Sequence, residues 1–225
     1  MQKTKKAVIF GTDSFADIVY FYLTNDSDYE VVAFTATSDF IKEDTKFDLP
    51  IVAFEDIETK YNPDEYEMYI AVGYVNLNKT RAKFYNEAKE KGYKLLTYIS
   101  SKATVLTQDI GDNCFILEDN TLQPFLKVGN DVVFWSGNHI GHHSTIEDHC
   151  YITSHAVISG HCHVKEYTFI GVNATLRDAL TIEKENIIGA GALILKNTKE
   201  KEVYVAKKTE VFPRSSDRMK IWMRY

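Results

Sequence analysis

Histidine is the residue type whose placement in this sequence most directly suggests chemistry. All seven histidines of the 225-residue chain lie between His139 and His163. Imidazoles grouped in this way can bind a metal ion, and one imidazole can take a proton from a nucleophile near neutral pH. Four of the seven recur at intervals of six residues, namely His143, His149, His155 and His161. This spacing indicates that a repeating structure positions the group.

A six-residue repeat runs through the second half of the chain. Large apolar residues occupy every sixth position from Ile110 to Ile194, fifteen positions without a break. A period of six fits neither a helix nor a heptad, but it is the hexapeptide period of a parallel β-helix. The position four residues later is mostly small or apolar, and it holds all three cysteines, Cys114, Cys150 and Cys162. We therefore expect these thiols in the core and not as ligands or nucleophiles.

The first hundred residues show a different organisation. Short apolar runs over 6–10, 29–35, 68–73 and 94–99 alternate with segments of helical spacing. Ser14 and Asn78 stand where helix N-caps are expected, and Gly92 follows the second helical segment. Strands that alternate with helices are typical of a parallel sheet covered by helices.

The first loop of this unit could bind a phosphorylated ligand. Such sheets bind ligands where the first strand ends and a helix begins. Here the loop keeps Gly11, the first glycine of a dinucleotide fingerprint, but has Asp13 and Ala16 at the other two positions. A dinucleotide site is therefore not expected. A smaller nucleotide, a nucleotide sugar and a turn without a ligand all remain open.

Composition excludes several other classes of protein. The formal net charge of -6 and a pI of about 5.7 argue against a general nucleic-acid binder. The sequence contains no apolar stretch of membrane-spanning length, and its first residues lack the apolar segment of a signal peptide. Three cysteines without a CxxC motif fit a reducing compartment. We therefore expect a cytoplasmic protein without membrane insertion.

The α/β unit and the hexad repeat together resemble the hexapeptide-repeat sugar acyltransferases. The match covers nearly the whole chain, is strongest over 140–195, and is closest to sialic-acid O-acetyltransferases and bacillosamine-pathway nucleotide-amino-sugar N-acetyltransferases. The resemblance implies a Rossmann-like nucleotide-sugar-binding domain over 1–99. It also implies a left-handed parallel β-helix of about five turns over 100–225, in which residues 18 apart stack. The family assembles as homotrimers with three shared sites.

The resemblance also implies catalytic residues. The catalytic histidine of the family aligns with His142, the general base, and a second histidine, thought to contact the acyl group, aligns with Tyr151. The 18-residue stacking places Gly160 above His142, where a missing side chain lets a thioester approach and an amide could stabilise an oxyanion. The usual acidic neighbour of the base is replaced by His143. Asp148, Asp178 or a backbone carbonyl could orient the base instead.

Acetyl-CoA and a nucleotide-linked amino sugar are the ligands that the resemblance implies. The matching cofactor positions are Ser159, Gly160, Val172, Gly189, Ala190 and Gly191, followed by Lys196, which is suited to phosphates or is part of a solvated tail. The substrate candidates in the first domain are Gly11, Asp13, Ser14, Phe15, Thr35, Gly73, Asn76 and Arg81.

Four functions are therefore weighed. The first is N-acetylation of a nucleotide-linked amino-deoxy sugar in surface glycan biosynthesis, such as that of lipopolysaccharide O-antigen. The second is sugar O-acetylation with the same base. The third is a non-catalytic nucleotide-sugar-binding trimer, and the fourth is a metal-binding β-helix. No metal cofactor is expected, because the ligand spacing of the related γ-class carbonic anhydrases does not occur among these histidines, although a different zinc site stays open.

Overall fold

The N-terminal half of the computed structural model, which describes residues 2–218, contains a five-stranded sheet with helices packed on it. Its strands are β1 (Lys5–Phe10), β2 (Tyr29–Ala36), β3 (Thr45–Lys46), β4 (Leu49–Ala53) and β5 (Glu67–Ile70). The strand order is β3-β4-β2-β1-β5, and only the edge strand β3 is antiparallel. The predicted parallel α/β unit is confirmed.

Helices connect these strands. They are α1 (Ser14–Asn25), α2 (Ile57–Lys60) and α3 (Lys79–Glu90), with short 3-10 turns at Ser38–Phe40, Phe54–Asp56 and Ser216–Arg218. Asp13 is the N-cap of α1, one residue before the predicted Ser14, and α3 starts after Asn78 as predicted. Helix α1 buries Phe15, Val19 and Leu23 on one face, because they recur at helical spacing. Among residues 2–218, no helix is long and apolar enough to cross a membrane.

The second half is a left-handed parallel β-helix. Its two-residue strands form three sheets, which are the faces of a triangular prism. The first face contains β6 (Tyr98–Ile99), β8 (Phe115–Ile116), β11 (Val133–Phe134), β14 (Tyr151–Ile152), β17 (Phe169–Ile170), β20 (Ile187–Ile188) and β22 (Val203–Tyr204). The second contains β7 (Thr104–Val105), β9 (Thr121–Leu122), β12 (His139–Ile140), β15 (Val157–Ile158), β18 (Thr175–Leu176) and β21 (Leu193–Ile194). The third contains β10 (Lys127–Val128), β13 (Thr145–Ile146), β16 (His163–Val164) and β19 (Thr181–Ile182).

The hexad repeat fills the prism as the sequence predicts. Every position of the apolar series except Ile110 is buried, and strands pair at a separation of 18 residues, as in Tyr151 with Phe169. The three cysteines are fully or almost fully buried inside the coil. Burial raises the pKa of Cys114 and of Cys150 to about 12, so these thiols stay protonated near neutral pH.

The prism turns its corners through left-handed residues. Every sixth residue from Asn113 to Gly191 has a positive φ, and His143, His149, His155 and His161 are among them. Only Gly137 and Gly191 of this series are glycines. Most other prism glycines serve close approach: a Cβ on Gly171 would stand 2.5 Å from the amide nitrogen of Ala190. The repeated histidines are thus explained partly by backbone, since histidine tolerates this conformation better than most residues.

The β-helix begins earlier and ends later than the strict repeat. Tyr98–Ile99 pairs with Phe115–Ile116, 17 residues on, and Val203–Tyr204 pairs with Ile187–Ile188 at a separation of 16. These shorter coils shift the register, so the period of six does not reveal them. The predicted strand over 94–99 is divided, because Leu95 bridges Met68 of the α/β sheet while Tyr98 starts the prism.

The α/β unit covers the first face of the prism. Outward side chains of that face, including Phe115 and Tyr151, share one buried cluster with Phe15 of α1 and Tyr69 of β5. The edge-to-face contact between Phe15 and Phe115 joins the two halves, with ring centroids 5.8 Å apart. The earlier coils of the first face are therefore closed to solvent, whereas Val203 in its last strand is 62% exposed. The corner between the second and third faces lies on the opposite side of the prism.

Candidate functional site

His142 lies on that opposite corner, in the turn between β12 and β13. Its side chain is exposed, and the backbone N–H of His161 donates to its carbonyl oxygen at 2.9 Å. A Cβ added to Gly160, in the next coil, would stand 3.0 Å from Cε1 and 3.1 Å from Nε2 of His142. The predicted stacking of Gly160 on His142 is confirmed. The edge of the His142 ring therefore packs directly against Gly160, and this close approach depends on the absence of a side chain at residue 160.

The other ring nitrogen of His142 meets its neighbour in sequence. Nδ1 of His142 lies 3.0 Å from Nδ1 of His143, and the backbone N–H of His142 donates to Oε1 of Gln123 at 2.9 Å. When Nδ1 of His142 carries the proton and donates to His143, Nε2 keeps its lone pair. An imidazole in that tautomer can accept a proton on the Gly160 side.

The proposed acidic substitutes do not orient His142. Oδ1 of Asp148 accepts a hydrogen bond from the backbone N–H of Asn130 at 2.7 Å, at a different corner of the prism. No hydrogen bond joins Asp178 to His142 within residues 2–218. Nδ1 of His142 instead contacts Nδ1 of His143, which occupies the position of the expected acidic neighbour.

His143 and His161 form a ring stack beside His142. Their centroids are 5.0 Å apart with an interplanar angle of 16°, as the 18-residue separation predicts. The ring of Phe125, one coil earlier, lies 4.7 Å from that of His143. His142 meets both histidines edge-on, at 5.2 Å and 5.0 Å. The corner thus presents three imidazoles supported by one phenyl ring.

Tyr151 lies far from the His142 corner. Within a single chain it cannot make the predicted contact with an acyl group at His142. It lies on the first face, is 2% exposed, and accepts a hydrogen bond from Nε1 of Trp135 at 2.6 Å. Burial raises the pKa of its phenol to about 12. Within one chain Tyr151 is part of the core between the halves and does not share a surface with His142.

The predicted cofactor residues divide between two corners. Ser159, Gly160 and Lys196 follow strands of the second face, on the His142 corner. The others follow strands of the first face and so occupy the preceding corner, namely Val172, Gly189, Ala190 and Gly191. Lys196 is exposed and lines a cavity of about 380 Å³ with Lys199 and Tyr204. A single chain therefore does not bring the two groups together.

Three of the predicted substrate residues are inaccessible. Arg81 is 0% exposed and pairs with Asp131, and Thr35 is 0% exposed and donates to the carbonyl of Val52 at 2.8 Å. Phe15 is 7% exposed in the core between the halves. Burial removes all three from direct contact with a ligand, so these assignments are corrected to structural roles.

The remaining candidates lie near the carboxyl ends of the strands. Asp13 and Ser14 are exposed at the start of α1, and Asn76 is exposed after β5. Gly73 is partly exposed, and a Cβ there would meet open space. Gly11 has φ +123, and a Cβ on it would stand 2.5 Å from the carbonyl oxygen of Ala71, so the turn itself requires glycine. The carboxyl-terminal edge of the sheet, where these residues lie, is therefore accessible to solvent.

A cavity at this edge contains residues that the sequence analysis missed. It measures about 320 Å³ and is lined by Thr12 and Asp13 together with Phe40, Lys42 and Lys46. Lys46 also pairs with Asp17 at 2.5 Å. The sequence does contain an indication of this cavity. Phe40, Lys42 and Lys46 follow the second strand, and the carboxyl ends of neighbouring parallel strands meet at the same edge of a sheet.

Comparison with known proteins extends this description. Residues 125–160, which include both His142 and Gly160, match the family model described as bacterial transferase hexapeptide (six repeats). The acetyltransferase domain of PglB from Neisseria gonorrhoeae FA1090 is 20% identical, with a TM-score of 0.77 over 89% of this chain and 96% of that one. The chain shares the fold of that acetyltransferase domain.

Two further structures share this hexapeptide fold. PerB from Caulobacter crescentus, solved in complex with CoA and GDP-perosamine, is 19% identical, with a TM-score of 0.73 over 91% of this chain and 94% of that one. WeeI from Acinetobacter baumannii AYE is 20% identical, with a TM-score of 0.72 over 89% and 94%. The resemblance found in the sequence and the predicted fold are confirmed.

Proposed function

We propose that this protein transfers an acetyl group from acetyl-CoA to the amino group of a nucleotide-linked amino-deoxy sugar. The observation that carries the proposal is the close packing of Nε2 of His142 against Gly160, a position that a side chain at residue 160 would crowd. Fold neighbours support the choice of ligands, since one PglB acetyltransferase structure contains acetyl coenzyme A and PerB contains CoA and GDP-perosamine.

The chemistry requires a base and a path by which the thioester reaches the amine beside it. The neutral amine attacks the thioester carbonyl carbon, and Nε2 of His142 accepts the proton that the nitrogen loses as the C–N bond forms. The amide of Gly160 is a candidate donor to the developing oxyanion. The C–S bond then breaks, and the proton passes to the leaving CoA thiolate. His143 keeps the proton of His142 on Nδ1 during this step.

The nucleotide is assigned to the cavity at the sheet edge. Lys42 and Lys46 are the basic residues of this cavity and could contact a diphosphate, although Lys46 also pairs with Asp17 and the carboxylates of Asp13 and Glu43 line the same cavity. Phe40, 70% exposed, offers a ring on which a base could stack. Ser14 begins α1 beside this cavity, and the N-terminus of a helix favours anions. The protein carries net negative charge, so this local arrangement, and not the overall field, must attract the phosphates.

The sites are proposed to be shared in a homotrimer. The α/β unit covers the first face, while His142 lies at the opposite corner. A sugar held by this unit therefore meets the base of a neighbouring chain more directly than its own. The same arrangement would join the two groups of cofactor residues, which lie on different corners of one prism, in a groove between two prisms.

The pathway and compartment follow from the ligands. Acetyl-CoA and nucleotide sugars are cytoplasmic metabolites, and acetylated amino sugars are building blocks of surface glycans. We therefore place the protein in the cytoplasm, in glycan precursor synthesis such as that of lipopolysaccharide O-antigen.

The decisive experiment is a thiol-release assay with acetyl-CoA and a panel of UDP-, dTDP- and GDP-linked amino sugars. Matched sugars with a hydroxyl in place of the amine separate N-transfer from O-transfer. Release of CoA with one amino sugar, and none with its hydroxyl analogue, is the expected result. Saturable binding of nucleotide sugars without any CoA release would instead support a non-catalytic binding protein.

A further inference from the structure

The histidine corner contains more than a single base requires. His142, His143 and His161 each offer one ring nitrogen, and these three atoms lie within 4.8 Å of one another. All three side chains are exposed, so an ion can enter from solvent. A proton-transfer role accounts for His142, and it accounts for His143 if that ring orients His142. It does not account for His161.

The backbone and the neighbouring coil hold these rings in place. His143 and His161 have φ of 55° and 59°, the left-handed corner conformation, so their side chains leave the coil in the same direction one layer apart. Phe125 packs against the free face of His143 at 4.7 Å. The stack restricts the rotamers of the His143 side chain, so that less conformational entropy is lost when an ion binds.

The donor set selects a class of ion. Three imidazoles are typical ligands of Zn²⁺, which binds nitrogen at about 2.0–2.1 Å in tetrahedral sites. Three protein ligands leave the fourth position to water or another ligand. The group contains no carboxylate, whereas Ca²⁺ and Mg²⁺ prefer oxygen ligands. Small side-chain rotations would draw nitrogens that lie within 4.8 Å to a common centre.

We propose that His142, His143 and His161 form a binding site for one divalent transition ion of the Zn²⁺ type. The Nδ1 atoms of His142 and His143, 3.0 Å apart, are the natural first two ligands. An ion bound to Nδ1 of His142 uses that lone pair and leaves the ring proton on Nε2. The nitrogen that faces Gly160 then cannot accept a proton, so the bound ion switches off acetyl transfer. This effect on turnover rests on the proposed function, whereas the binding itself does not.

Metal binding is tested on the protein without a polyhistidine tag. Calorimetric titration with ZnCl₂, and zinc content after dialysis, should give about one equivalent per chain. His143→Asn and His161→Asn should each weaken binding by more than about tenfold, since even groups that only orient a ligand cost 10–100-fold. His155→Asn is the matched control: it is also an exposed left-handed corner residue, outside the cluster, and should bind like the wild type.

Two results would overturn the site: no saturable zinc binding by the wild type, or equal loss of binding in the His155→Asn control. Co²⁺ provides a second readout, because a low-coordinate nitrogen site should give visible absorption bands that disappear in His161→Asn. Turnover is measured separately with and without Zn²⁺, and EDTA should restore it. Full activity of the zinc-loaded protein would refute the switch. Absence of any turnover in zinc-free protein would refute the proposed function and leave the binding result intact.

Discussion

Nε of Arg81 lies 2.9 Å from Oδ1 of Asp131, and both side chains are entirely withdrawn from solvent. Arg81 belongs to α3 and Asp131 to a corner of the prism, so this pair joins the two halves of the chain. The guanidinium also donates to the carbonyls of Asp131 and Cys150, and His149 contacts the second carboxylate oxygen at 2.8 Å. A buried guanidinium with this many partners fixes how α3 packs on the prism. Removal of Arg81 would leave the Asp131 carboxylate buried without its opposite charge.

Replacement of Arg81 by Met should destabilise the protein by about 3–5 kcal/mol, because the Asp131 carboxylate stays buried without its main partner. Urea denaturation monitored by tryptophan fluorescence measures this loss. The double variant Arg81→Met/Asp131→Asn should regain part of the stability, since it removes the stranded charge. Lys79→Met breaks the exposed pair with Glu185 and should cost below about 1 kcal/mol. A double variant no more stable than Arg81→Met would contradict the charge argument.

His142→Asn should lower kcat for acetyl transfer by about 10²–10⁴, the usual contribution of a general base. Folding should be intact, because His142 is exposed and its backbone hydrogen bonds do not depend on its side chain. His155→Asn carries the same substitution at an exposed histidine of another corner and should retain kcat. CoA release under saturating substrates is the measurement. Near-wild-type turnover of His142→Asn would eliminate the mechanism.

Gly160→Ala and Gly160→Val form a graded test of the close packing between residue 160 and the ring of His142. A Cβ at residue 160 would stand 3.0 Å from Cε1 of His142, close enough to force the ring to move, and valine adds two methyl groups to the same space. We expect KM for acetyl-CoA to rise with alanine and activity to be lost with valine, while the melting temperature changes little. Unchanged KM in both variants would show that the thioester approaches elsewhere.

Acid stability should depend on Asp26, which follows α1. Partial burial disfavours its ionised form, but hydrogen bonds from the Ser101 amide and the Tyr98 and Ser100 hydroxyls outweigh that effect, and the pKa lies below its ordinary value. A depressed carboxyl pKa contributes stability that is present above the ordinary value, about 3.9, and is lost as pH falls through the folded pKa.

Asp26→Asn should therefore cost about 1–3 kcal/mol at pH 7, and the difference from the wild type should shrink below about pH 4. Urea denaturation repeated from pH 7 to pH 3 measures this dependence. Asp64→Asn, at an exposed carboxyl, is the control and should follow the wild type at every pH. A difference that is independent of pH would exclude the ionised carboxylate as its source.

The sequence predicts the position of a residue best where that residue belongs to the six-residue repeat. The core positions, the burial of Cys150 and the stacking of Gly160 on His142 all follow from a period of six and three faces per coil. Arg81 shows the limit: its position after a strand suggested a ligand contact, but its partner Asp131 lies 50 residues away on a surface that only the packing of the two halves creates. The same limit applies to Phe15. Its position after the first strand predicts a substrate contact, but the packing of the two halves buries it.

The ring stack of His143 and His161 illustrates a second limit. The repeat places His161 above His143, but the direction of each side chain depends on corner dihedrals that are not visible in the spacing. The same holds for the contact between Nδ1 atoms of His142 and His143, which are adjacent in sequence and would point apart in an extended strand. Chemistry at this corner is therefore specified by backbone conformation as much as by residue type.

The uniform separation of paired strands has a consequence for how such a chain can change length. Within the regular part of the prism each rung pairs with residues 18 positions away. Duplicating or deleting a complete coil would leave every other pairing intact, whereas an insertion of six would move each later rung to the next face. An indel of one residue would turn the apolar series outward. A change of length that keeps the strand pairing of the regular part must therefore be a whole coil of 18 residues, and the other separations, 17 and 16, occur at the two ends of the prism.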